Sequence, residues 1–296
     1  MKNNITVSLM VYNEEQRIES VLKSFSWVDE LVVFDKQSTD NTVEIAKKYT
    51  TSVVSVPYFS SSENVVKLIN SLTSSEWIFC PTASSLIHPK LADEIIKLTS
   101  DPGFPYDVIG MPYGMYAFGI RSAHSPWYDE RKYTLIRRSV LCVSNELHKE
   151  IGFKSKRIYN IPFMSDEEVL FHCTHKDADD FFEKNIRYCR YEARSISGSE
   201  RGEVLRKCLL ELIRSVFVVV FKRKFFMLGW DGMALMLAYI SYFIIKFIYV
   251  WDIKRVNGNE IYPEIRRKID QLWDARQVES NAKKKPSNDY CEVDPV

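Results

Sequence analysis

Short runs of hydrophobic residues alternate with helix-like patterns over the first hundred residues of the chain. Residues 5–11, 31–34 and 53–56 are apolar runs rich in β-branched side chains, and polar residues follow the first two. Between these runs the apolar side chains recur at the spacing of one helical face, and a fourth run follows at 77–80. Strands that alternate with helices in this way predict a mixed, mainly parallel α/β sheet, whose ligand binds at the carboxyl ends of the strands.

The pattern changes twice beyond residue 100. Residues 103–143 are rich in Gly, Pro and aromatic side chains, which predicts loops and mixed strands that form the variable half of a pocket. Beyond residue 176 the spacing is helical, with an amphipathic helix over 203–221. The twenty residues 232–251 contain Lys246 as their only formal charge, and this length is enough to span a bilayer.

The end of the chain is polar and charged. One short helix is predicted near 262–275, with disorder in the remainder. We therefore expect an α/β domain over residues 1–175, a helical membrane-associating region over 176–256, and a polar, partly disordered tail over 257–296.

Composition narrows the class of protein. The chain has 296 residues, of which 46% are hydrophobic, so it can bury a substantial core. Its net charge of +1 gives no argument for a nucleic-acid partner. Six cysteines without a C-x-x-C pair indicate reduced thiols rather than a zinc site or disulfides. The first apolar run is too short for a secretory signal, so we expect the catalytic part to face the cytosol.

The charge is unevenly distributed. Residues 201–256 carry ten Lys or Arg against four Asp or Glu, interleaved with long apolar runs. Such segments favour an anionic membrane surface, with amphipathic helices lying in the interface. Lys246 in the middle of the longest run, and the short helix before it, favour this monotopic arrangement over a true span. The third interpretation is an ordinary buried helical subdomain.

Polar residues in the first two loops are candidates for ligand binding. Asp35 ends the second strand, where a carboxylate accepts hydrogen bonds from a base N–H or a ribose hydroxyl. Tyr12 and Asn13 lie in the first loop, where a ring and an amide would flank a base. The stretch from Asp35 to Asp40 fits a turn and a helix cap equally well.

A series of phrases in the sequence resembles one known family. They are Val11-Tyr12-Asn13-Glu14-Glu15, Trp27 to Asp35, Ser38 to Ala46, Trp127 to Arg138, Leu147-His148, Leu170-Phe171-His172, Phe182-Glu183-Lys184 and Gly229-Trp230-Asp231-Gly232. In this order they resemble family 2 glycosyltransferases, and among those the lipopolysaccharide core glucosyltransferases that act on inner-core heptose. The resemblance spans residues 5 to 252. It implies a GT-A (Rossmann-like) fold, a nucleoside-diphosphate-sugar donor and inversion of the anomeric centre in one displacement.

The sequence departs from this family where a metal site is expected. The family has D-x-D after the fourth strand, whereas this chain has Thr82-Ala83-Ser84. Divalent cations of this kind require carboxylate oxygens, so Mg²⁺ or Mn²⁺ is disfavoured as a cofactor. Cationic side chains stabilise a leaving diphosphate by the same charge. The candidates are Lys67, Arg121, Arg131, Lys132, Arg137 and Arg138. The alternatives are a nucleoside-monophosphate sugar as donor, or a chain that binds without catalysis.

The catalytic base is also displaced from the family pattern. The family's H-E reads here as His148-Lys149, so the glutamate is missing. An inverting transfer needs a carboxylate or imidazole that takes the proton of the acceptor hydroxyl. We expect Asp129 or Glu150 in this role, with His148 as a donor or orienting group. His172 falls on a family position and is interpreted as a pocket or packing residue rather than a metal ligand.

The sequence thus predicts an inverting glycosyltransferase without a D-x-D-bound metal. Its donor would be a nucleotide sugar, with a UDP-sugar favoured over a CMP-sugar. Its acceptor would be a lipid-linked glycan, such as lipopolysaccharide core, O-antigen or a capsule-like polymer, at the cytoplasmic face of the inner (plasma) membrane. The alternative is a degenerate membrane scaffold or sensor. The predicted donor-binding residues are Tyr12, Asn13, Glu14, Asp35, Ser38, Asp40, Lys67, Thr82, Ser84, Arg121 and Arg137.

Overall fold

A computed structural model describes residues 4–58, 62–143, 151–196, 200–255 and 260–283. The strands are β1 (Ile5–Val11), β2 (Glu30–Asp35), β3 (Val53–Ser55), β4 (Trp77–Phe79), β5 (Ser85–Ile87), β6 (Val108–Ala117), β7 (Arg131–Arg137), β8 (Leu141–Val143), β9 (Ile151–Phe153), β10 (Ile158–Asn160) and β11 (Leu170–His175). The helices are α1 (Ile18–Ser24), α2 (Thr42–Ala46), α3 (Ser62–Leu72), α4 (Pro89–Thr99), α5 (Ala178–Ser195), α6 (Arg201–Phe217), α7 (Gly229–Lys254) and α8 (Ile261–Lys283).

One mixed sheet organises the α/β part of the described chain. Its strand order is β3-β2-β1-β4-β7-β6-β11-β5, and β10 pairs with β6. The first four strands are parallel, which confirms the predicted βαβ pattern. Six of the seven residues of β1 are buried, because α-helices pack on both faces of a central parallel strand. The large buried side chains around it include Phe25, Trp77 and Phe79.

Strand β7 reverses the direction of the sheet next to β4. The pairs Trp77↔Arg137 and Phe79↔Leu135 align the start of β4 with the end of β7. Strand β6 then runs antiparallel to β7 and parallel to β11. As a result the start of β7 and the end of β4 lie at the same edge of the sheet, which is the edge where the parallel strands end.

The described chain divides into two compact units that do not coincide with simple sequence segments. The first comprises Met1–Asn185 and Arg214–Ile240, and the second comprises Ile186–Ile213 and Ser241–Val296. In the first unit a helical corner connects α6 to α7 through a π-helical turn, Val218–Arg223, and a 3-10 turn, Phe225–Leu228. Two glycines shape this corner: Gly229 has a φ of +56°, and a Cβ on Gly232 would collide with the Phe225 carbonyl oxygen.

The second unit contains a buried ion cluster. The Lys246 ammonium lies 2.9 Å from a Glu192 carboxylate oxygen and 2.9 Å from one of Glu211. The Tyr242 hydroxyl donates to the other Glu192 oxygen at 2.5 Å. Because Lys246 has two carboxylate partners inside the unit, its charge does not favour an in-plane helix over a spanning one.

The C-terminal helix is longer than the sequence pattern predicts. Helix α8 runs from Ile261 to Lys283, whereas the pattern predicts a helix near 262–275. Its apolar side chains are exposed over its whole described length, including Ile265, Leu272 and Trp273.

Candidate active site

The carboxyl ends of four parallel strands lie side by side, and a polar or aromatic residue lies at the end of each strand or shortly after it. In the order of the sheet these residues are Tyr58 after β3, Asp35 at the end of β2, Tyr12 after β1 and Thr82 after β4. Thr82 also forms an isolated parallel bridge with Met10 of β1. This edge is where an open α/β sheet binds its ligand, and the structure brings four sequence-distant positions together there.

The loops after β1 and β2 are locked to each other. The Asn13 N–H donates to the Ser38 hydroxyl at 2.9 Å, and the Thr39 N–H donates to the Asn13 side-chain oxygen at 2.8 Å. The Asn41 N–H donates to the Glu15 carboxylate at 3.0 Å. Asn13 has a φ of +53°, a left-handed conformation that asparagine tolerates better than most residues. Asn13 and Ser38, predicted to bind donor, therefore also hold this double loop in shape.

Asp35 and Asp40 have different surroundings. Asp35 is 5% exposed, and its two carboxylate oxygens lie 3.1 and 3.2 Å from the Ser38 N–H. Asp40 accepts from the N–H groups of Glu15 and Thr42 and from the Thr42 hydroxyl. Burial raises the pKa of Asp40, but these hydrogen bonds outweigh it, so the net pKa is lowered. Asp40 thus closes the turn into α2, as the turn-and-cap interpretation expects.

Two tyrosines stand over the edge beside Asp35. The rings of Tyr12 and Tyr58 lie 4.6 Å apart between centroids, in an edge-to-face arrangement at 80°. Both side chains are half-buried. Tyr58 did not emerge from the sequence, although its position after β3 matches that of Tyr12 after β1. A ring pair next to a buried carboxylate is suited to binding a nucleobase, with stacking from one side and N–H recognition from the other.

A hydroxyl and imidazole cluster occupies the position where the family resemblance predicts D-x-D. The Thr82 hydroxyl lies 2.8 Å from Nδ1 of His172, and the Ser84 hydroxyl lies 3.2 Å from the same nitrogen. The Ser85 hydroxyl lies 2.9 Å from that of Thr82. Strand β11 pairs with β5 through His172 and Ser85, and this pairing brings together groups that are far apart in the sequence. We name Thr82, Ser84, Ser85 and His172 the hydroxyl cluster.

The hydroxyl cluster has no net charge. Burial lowers the pKa of His172 to about 3, and the nearby cations Lys132 and Arg17 lower it further. The imidazole is therefore neutral at physiological pH. A divalent metal of the Mg²⁺ type needs carboxylate oxygens, and the cluster offers neutral hydroxyls on a neutral imidazole beside cations. The cluster does not fit such a metal, and within the described residues no group of three His, Cys, Asp or Glu side chains could hold one.

Strand β6 adds a layer behind the cluster. The Tyr113 ring stacks on His172, with centroids 5.8 Å apart and planes at 23°. The Lys132 ammonium lies 5.5 Å from the Tyr113 ring centroid. Burial raises the pKa of Tyr113, and the negative charge of Asp129 raises it further, so Asp129 lies within electrostatic reach of this ring. Asp129, one of the predicted bases, is exposed and belongs to the same neighbourhood as the cluster.

An ion network joins the first loop to β11 and α5. Arg17 pairs with Glu14 and lies 3.9 Å from the Asp180 carboxylate, and Lys184 lies 2.8 Å from Asp180. Arg17 and Lys184 also donate to the carbonyl oxygens of two β11 residues, Cys173 and Thr174. Burial raises the pKa of Glu14, although Arg17 lowers it in part. Glu14, predicted to bind donor, balances charge in this network.

Most of the predicted phosphate-binding cations stabilise the main chain instead. Arg137 donates to the carbonyl oxygens of Tyr106 and Phe104 at 2.8 Å each. Its pairing with Trp77 puts it where the parallel strands begin, at the opposite edge from Thr82. Arg121 donates to the Asp166 carbonyl oxygen at 2.8 Å and lies 3.3 Å from its carboxylate. The structure does not bring Arg137 to the cluster, so we omit it from the proposed donor site.

The remaining predicted residues have separate outcomes. Lys67 is exposed on α3. His148 and Glu150 lie outside the described residues, so their predicted catalytic roles stay predictions. The sequence did not indicate Arg17, Tyr58 or Tyr113 as site residues. The contacts that place them in the site depend on the pairing of distant strands, which no local pattern shows.

The helical corner of the first unit has an apolar surface. Arg223 donates to the Tyr128 carbonyl oxygen at 2.7 Å, and its own carbonyl oxygen lies 2.7 Å from Nδ1 of His124. These contacts attach the corner to the loop that carries Asp129. The exposed apolar side chains of this part are Val216, Phe217, Phe221, Phe226, Met227, Trp230, Met233 and Leu237. We name this set, with Lys222 and Lys224, the apolar corner.

Length and composition single out one segment of the described chain as able to cross a membrane. It runs from Phe225 to Lys254, with a mean hydropathy of 1.9 and 17% of its most apolar window buried. Core helices of soluble proteins meet the same criteria, so this finding alone is weak.

Comparison with known proteins finds similarity to a family of glycosyl transferases over part of the chain. Residues 6–103, which contain Tyr12, Asp35, Tyr58 and Thr82, match the family model described as glycosyl transferase family 2. A glucosyl-3-phosphoglycerate synthase from Mycobacterium tuberculosis, in complex with Mn²⁺, uridine diphosphate and glucosyl-3-phosphoglycerate, is similar at 28% identity over 38% of this chain, with a TM-score of 0.31. The chain spans 44% of that synthase. The S. aureus TarS 1-349 structure is similar at 13% identity over 86% of this chain and 90% of that chain, with a TM-score of 0.40.

Proposed function

We propose that this protein is an inverting glycosyltransferase that uses a nucleotide sugar and acts on a lipid-linked glycan at a membrane surface. The observation that carries the proposal is the strand edge itself, where an aromatic pair, a buried carboxylate and the hydroxyl cluster lie in succession. All of these residues except His172 belong to residues 6–103, which match the family 2 model. This succession suits the base, ribose and phosphates of one extended donor.

The base end of the donor would bind at Tyr12, Tyr58 and Asp35. An aromatic ring pair supplies stacking surface, and Asp35 at the end of β2 accepts hydrogen bonds from a base N–H or a ribose hydroxyl. Uracil carries such an N–H, which favours a UDP-sugar, and a CMP-sugar is the second candidate. Because Asn13, Ser38 and Asp40 lock the two loops, this end of the site is preformed.

The phosphate end would bind at the hydroxyl cluster without a D-x-D-bound metal. The neutral His172 accepts a hydrogen bond from only one of the two hydroxyls, Thr82 or Ser84, at a time. The other hydroxyl is then able to donate to a phosphate oxygen. The cluster brings no negative charge that a metal would have to offset. The surrounding cations supply the attraction for the anionic group.

The transfer would follow a single displacement. An oxygen of the acceptor forms a bond to the anomeric carbon while the bond from that carbon to the phosphate oxygen breaks, and the electron pair leaves with the nucleotide. A base takes the acceptor proton as its oxygen attacks. We assign this role to Asp129, whose loop is near Tyr113, with Glu150 and His148 as the other candidates.

The acceptor would be presented by the cytoplasmic face of the inner (plasma) membrane. The apolar corner combines large exposed side chains with Lys222 and Lys224, which suits a monotopic position on anionic lipid. Arg223 fastens this corner to the carbonyl oxygen of Tyr128, the residue before Asp129. A glycan carried on a lipid would thus be delivered close to the base.

Two measurements test the proposal. Thermal-shift titration with UDP and CMP, in EDTA and in Mn²⁺, should raise the Tm with one nucleotide in EDTA. No response to either nucleotide under either condition would favour the degenerate scaffold instead.

Membrane binding is tested by co-sedimentation with phosphatidylglycerol vesicles. Trp230 is 88% exposed in the apolar corner, and Trp230→Ser should weaken binding roughly tenfold, since burial of a large aromatic side chain is lost. Trp273→Ser, on α8 and also exposed, is the matched control and should bind as the unaltered protein does. Equal losses in both variants would argue against the corner as the membrane site.

A further inference from the structure

We infer that Lys132 is the cation that stabilises the departing phosphate group, in the place where the family pattern expects a metal ion. The inference rests on the proposed function and names one residue within it. Its basis is the position of Lys132 relative to the hydroxyl cluster.

The β4–β7 ladder brings Lys132 to the correct edge of the sheet. Phe79 pairs with Leu135, and the Cys80 N–H donates to the Thr134 carbonyl oxygen at 2.8 Å. Two residues beyond this contact lie Thr82, after β4, and Lys132, near the start of β7, so both are at the edge where the parallel strands end. The residue in the place of the first acid of D-x-D and a lysine of the neighbouring strand therefore share one edge of the sheet.

A chain of contacts connects Lys132 to the cluster. Its ammonium lies 5.5 Å from the centroid of the Tyr113 ring, and this ring also stacks on His172. His172 in turn contacts the hydroxyls of Thr82 and Ser84. The positive charge of Lys132 is also one of the causes that keep the pKa of His172 low. The ammonium is thus close enough to act electrostatically on a group bound at the cluster.

Neighbouring cations are engaged with the protein itself. Arg131 donates to the carbonyl oxygens of Gly110 and Ile161 at 3.2 and 2.8 Å, which fixes β7 against β6 and the segment after β10. Arg138 donates to the Thr73 carbonyl oxygen. Arg17 and Lys184 belong to the network that Glu14 and Asp180 balance. The Lys132 ammonium lies 5.5 Å from the centroid of the Tyr113 ring.

The chemistry of an ammonium suits this task. A lysine provides a compact charge and three donors to phosphate oxygens, and this charge offsets the negative charge that builds up as the glycosidic bond breaks. Hydroxyls of the cluster would orient the same oxygens. Thr82 and Ser84 are neutral, so they add no repulsion toward a phosphate group bound at the cluster.

The test compares Lys132→Gln with Lys132→Arg and with Lys97→Gln, a matched loss of charge on the exposed face of α4. Isothermal titration in EDTA uses UDP and UMP as probes. For Lys132→Gln we expect UDP affinity to fall at least about tenfold and UMP affinity to fall less, because UMP lacks the second phosphate. Lys132→Arg should recover part of the loss, and Lys97→Gln should bind as the unaltered protein does.

The outcomes separate this inference from the proposed function. If Lys132→Gln binds UDP as tightly as the unaltered protein, or if UDP binds only when Mn²⁺ is added, the role of Lys132 is overturned while nucleotide binding stands. If the unaltered protein binds neither nucleotide with or without Mn²⁺, the proposed function fails and this role fails with it. Equal losses for UDP and UMP would also overturn the role, since they would show a general effect on the site.

Discussion

The hydroxyl of Thr82 lies 2.8 Å from Nδ1 of His172, at the strand end where a carboxylate is expected from the family resemblance. The two groups satisfy each other without any net charge, and His172 is buried against Tyr113. A buried imidazole beside Lys132 and Arg17 is neutral, and a neutral imidazole needs no carboxylate to balance it.

Acid should destabilise the protein through its two buried histidines. Burial lowers the pKa of His172 to about 3 and that of His175 to about 4, whereas an unfolded histidine titrates near 6.5. Below pH 6.5 the unfolded chain therefore binds protons that the folded one does not. The free energy of unfolding should fall by about 1–2 kcal/mol per histidine between pH 7 and pH 5. Urea denaturation at the two pH values measures this fall.

Variants at the two histidines test this assignment. His172→Gln should reduce the fall in stability by the share of one histidine, and His175→Gln should reduce it in the same way. An identical pH dependence in the unaltered protein and in His172→Gln would mean that His172 is not a buried neutral group.

Aspartates at positions 82 and 84 should make the Tm of the protein depend on Mn²⁺. Thr82 is exposed and Ser84 is half-buried, so carboxylates at both positions would be accessible to solvent. We expect the Thr82→Asp and Ser84→Asp double variant to show a Mn²⁺-dependent rise in Tm, because paired carboxylate oxygens are the ligands such cations prefer. The unaltered protein is the reference in the same fluorimetric titration. A double variant with no response to Mn²⁺ would show that the strand end lacks the geometry of a metal site.

Substitution of Asp35 should weaken nucleotide binding, whereas substitution of Asp40 should lower stability. Asp35→Asn leaves an acceptor for the Ser38 N–H but replaces the carboxylate, so UDP affinity should fall about tenfold with little change in Tm. Asp40→Ala removes the acceptor of three hydrogen bonds and should lower stability by about 1 kcal/mol. Calorimetric titration and thermal melts measure the two effects. The reverse result, with Asp40→Ala binding less and melting normally, would exchange the two roles.

Gly232 should be intolerant of a methyl group. A Cβ there would collide with the Phe225 carbonyl oxygen, so Gly232→Ala should force the corner apart and lower the Tm by roughly 3–10 °C. Gly202, in the first turn of α6, has open space around its Cβ position, and Gly202→Ala should leave the Tm unchanged or slightly raised. Differential scanning fluorimetry compares them. Similar melting of both variants would mean that the corner adapts without cost.

The sequence by itself determined the parts of this protein that depend on local spacing. Apolar runs separated by helical faces predicted β1 to β4 and the edge at which their loops meet. Thr82 and Ser84, at the positions where the family resemblance implies D-x-D, were visible in the sequence, and so was the basic, apolar composition of the corner. These features could be predicted because burial of a strand or a helix face imposes its own period on nearby residues.

The tertiary structure decided the features that depend on which strands pair and in which direction. The reversal at β7 placed Arg137 at the edge where the parallel strands begin and Lys132, five positions earlier on the same strand, toward the edge where they end. The pairing of β11 with β5 gave His172 its partners, and the fold of the second unit gave Lys246 two carboxylates. Register between distant strands follows from the packing of the whole core, and no local pattern encodes it.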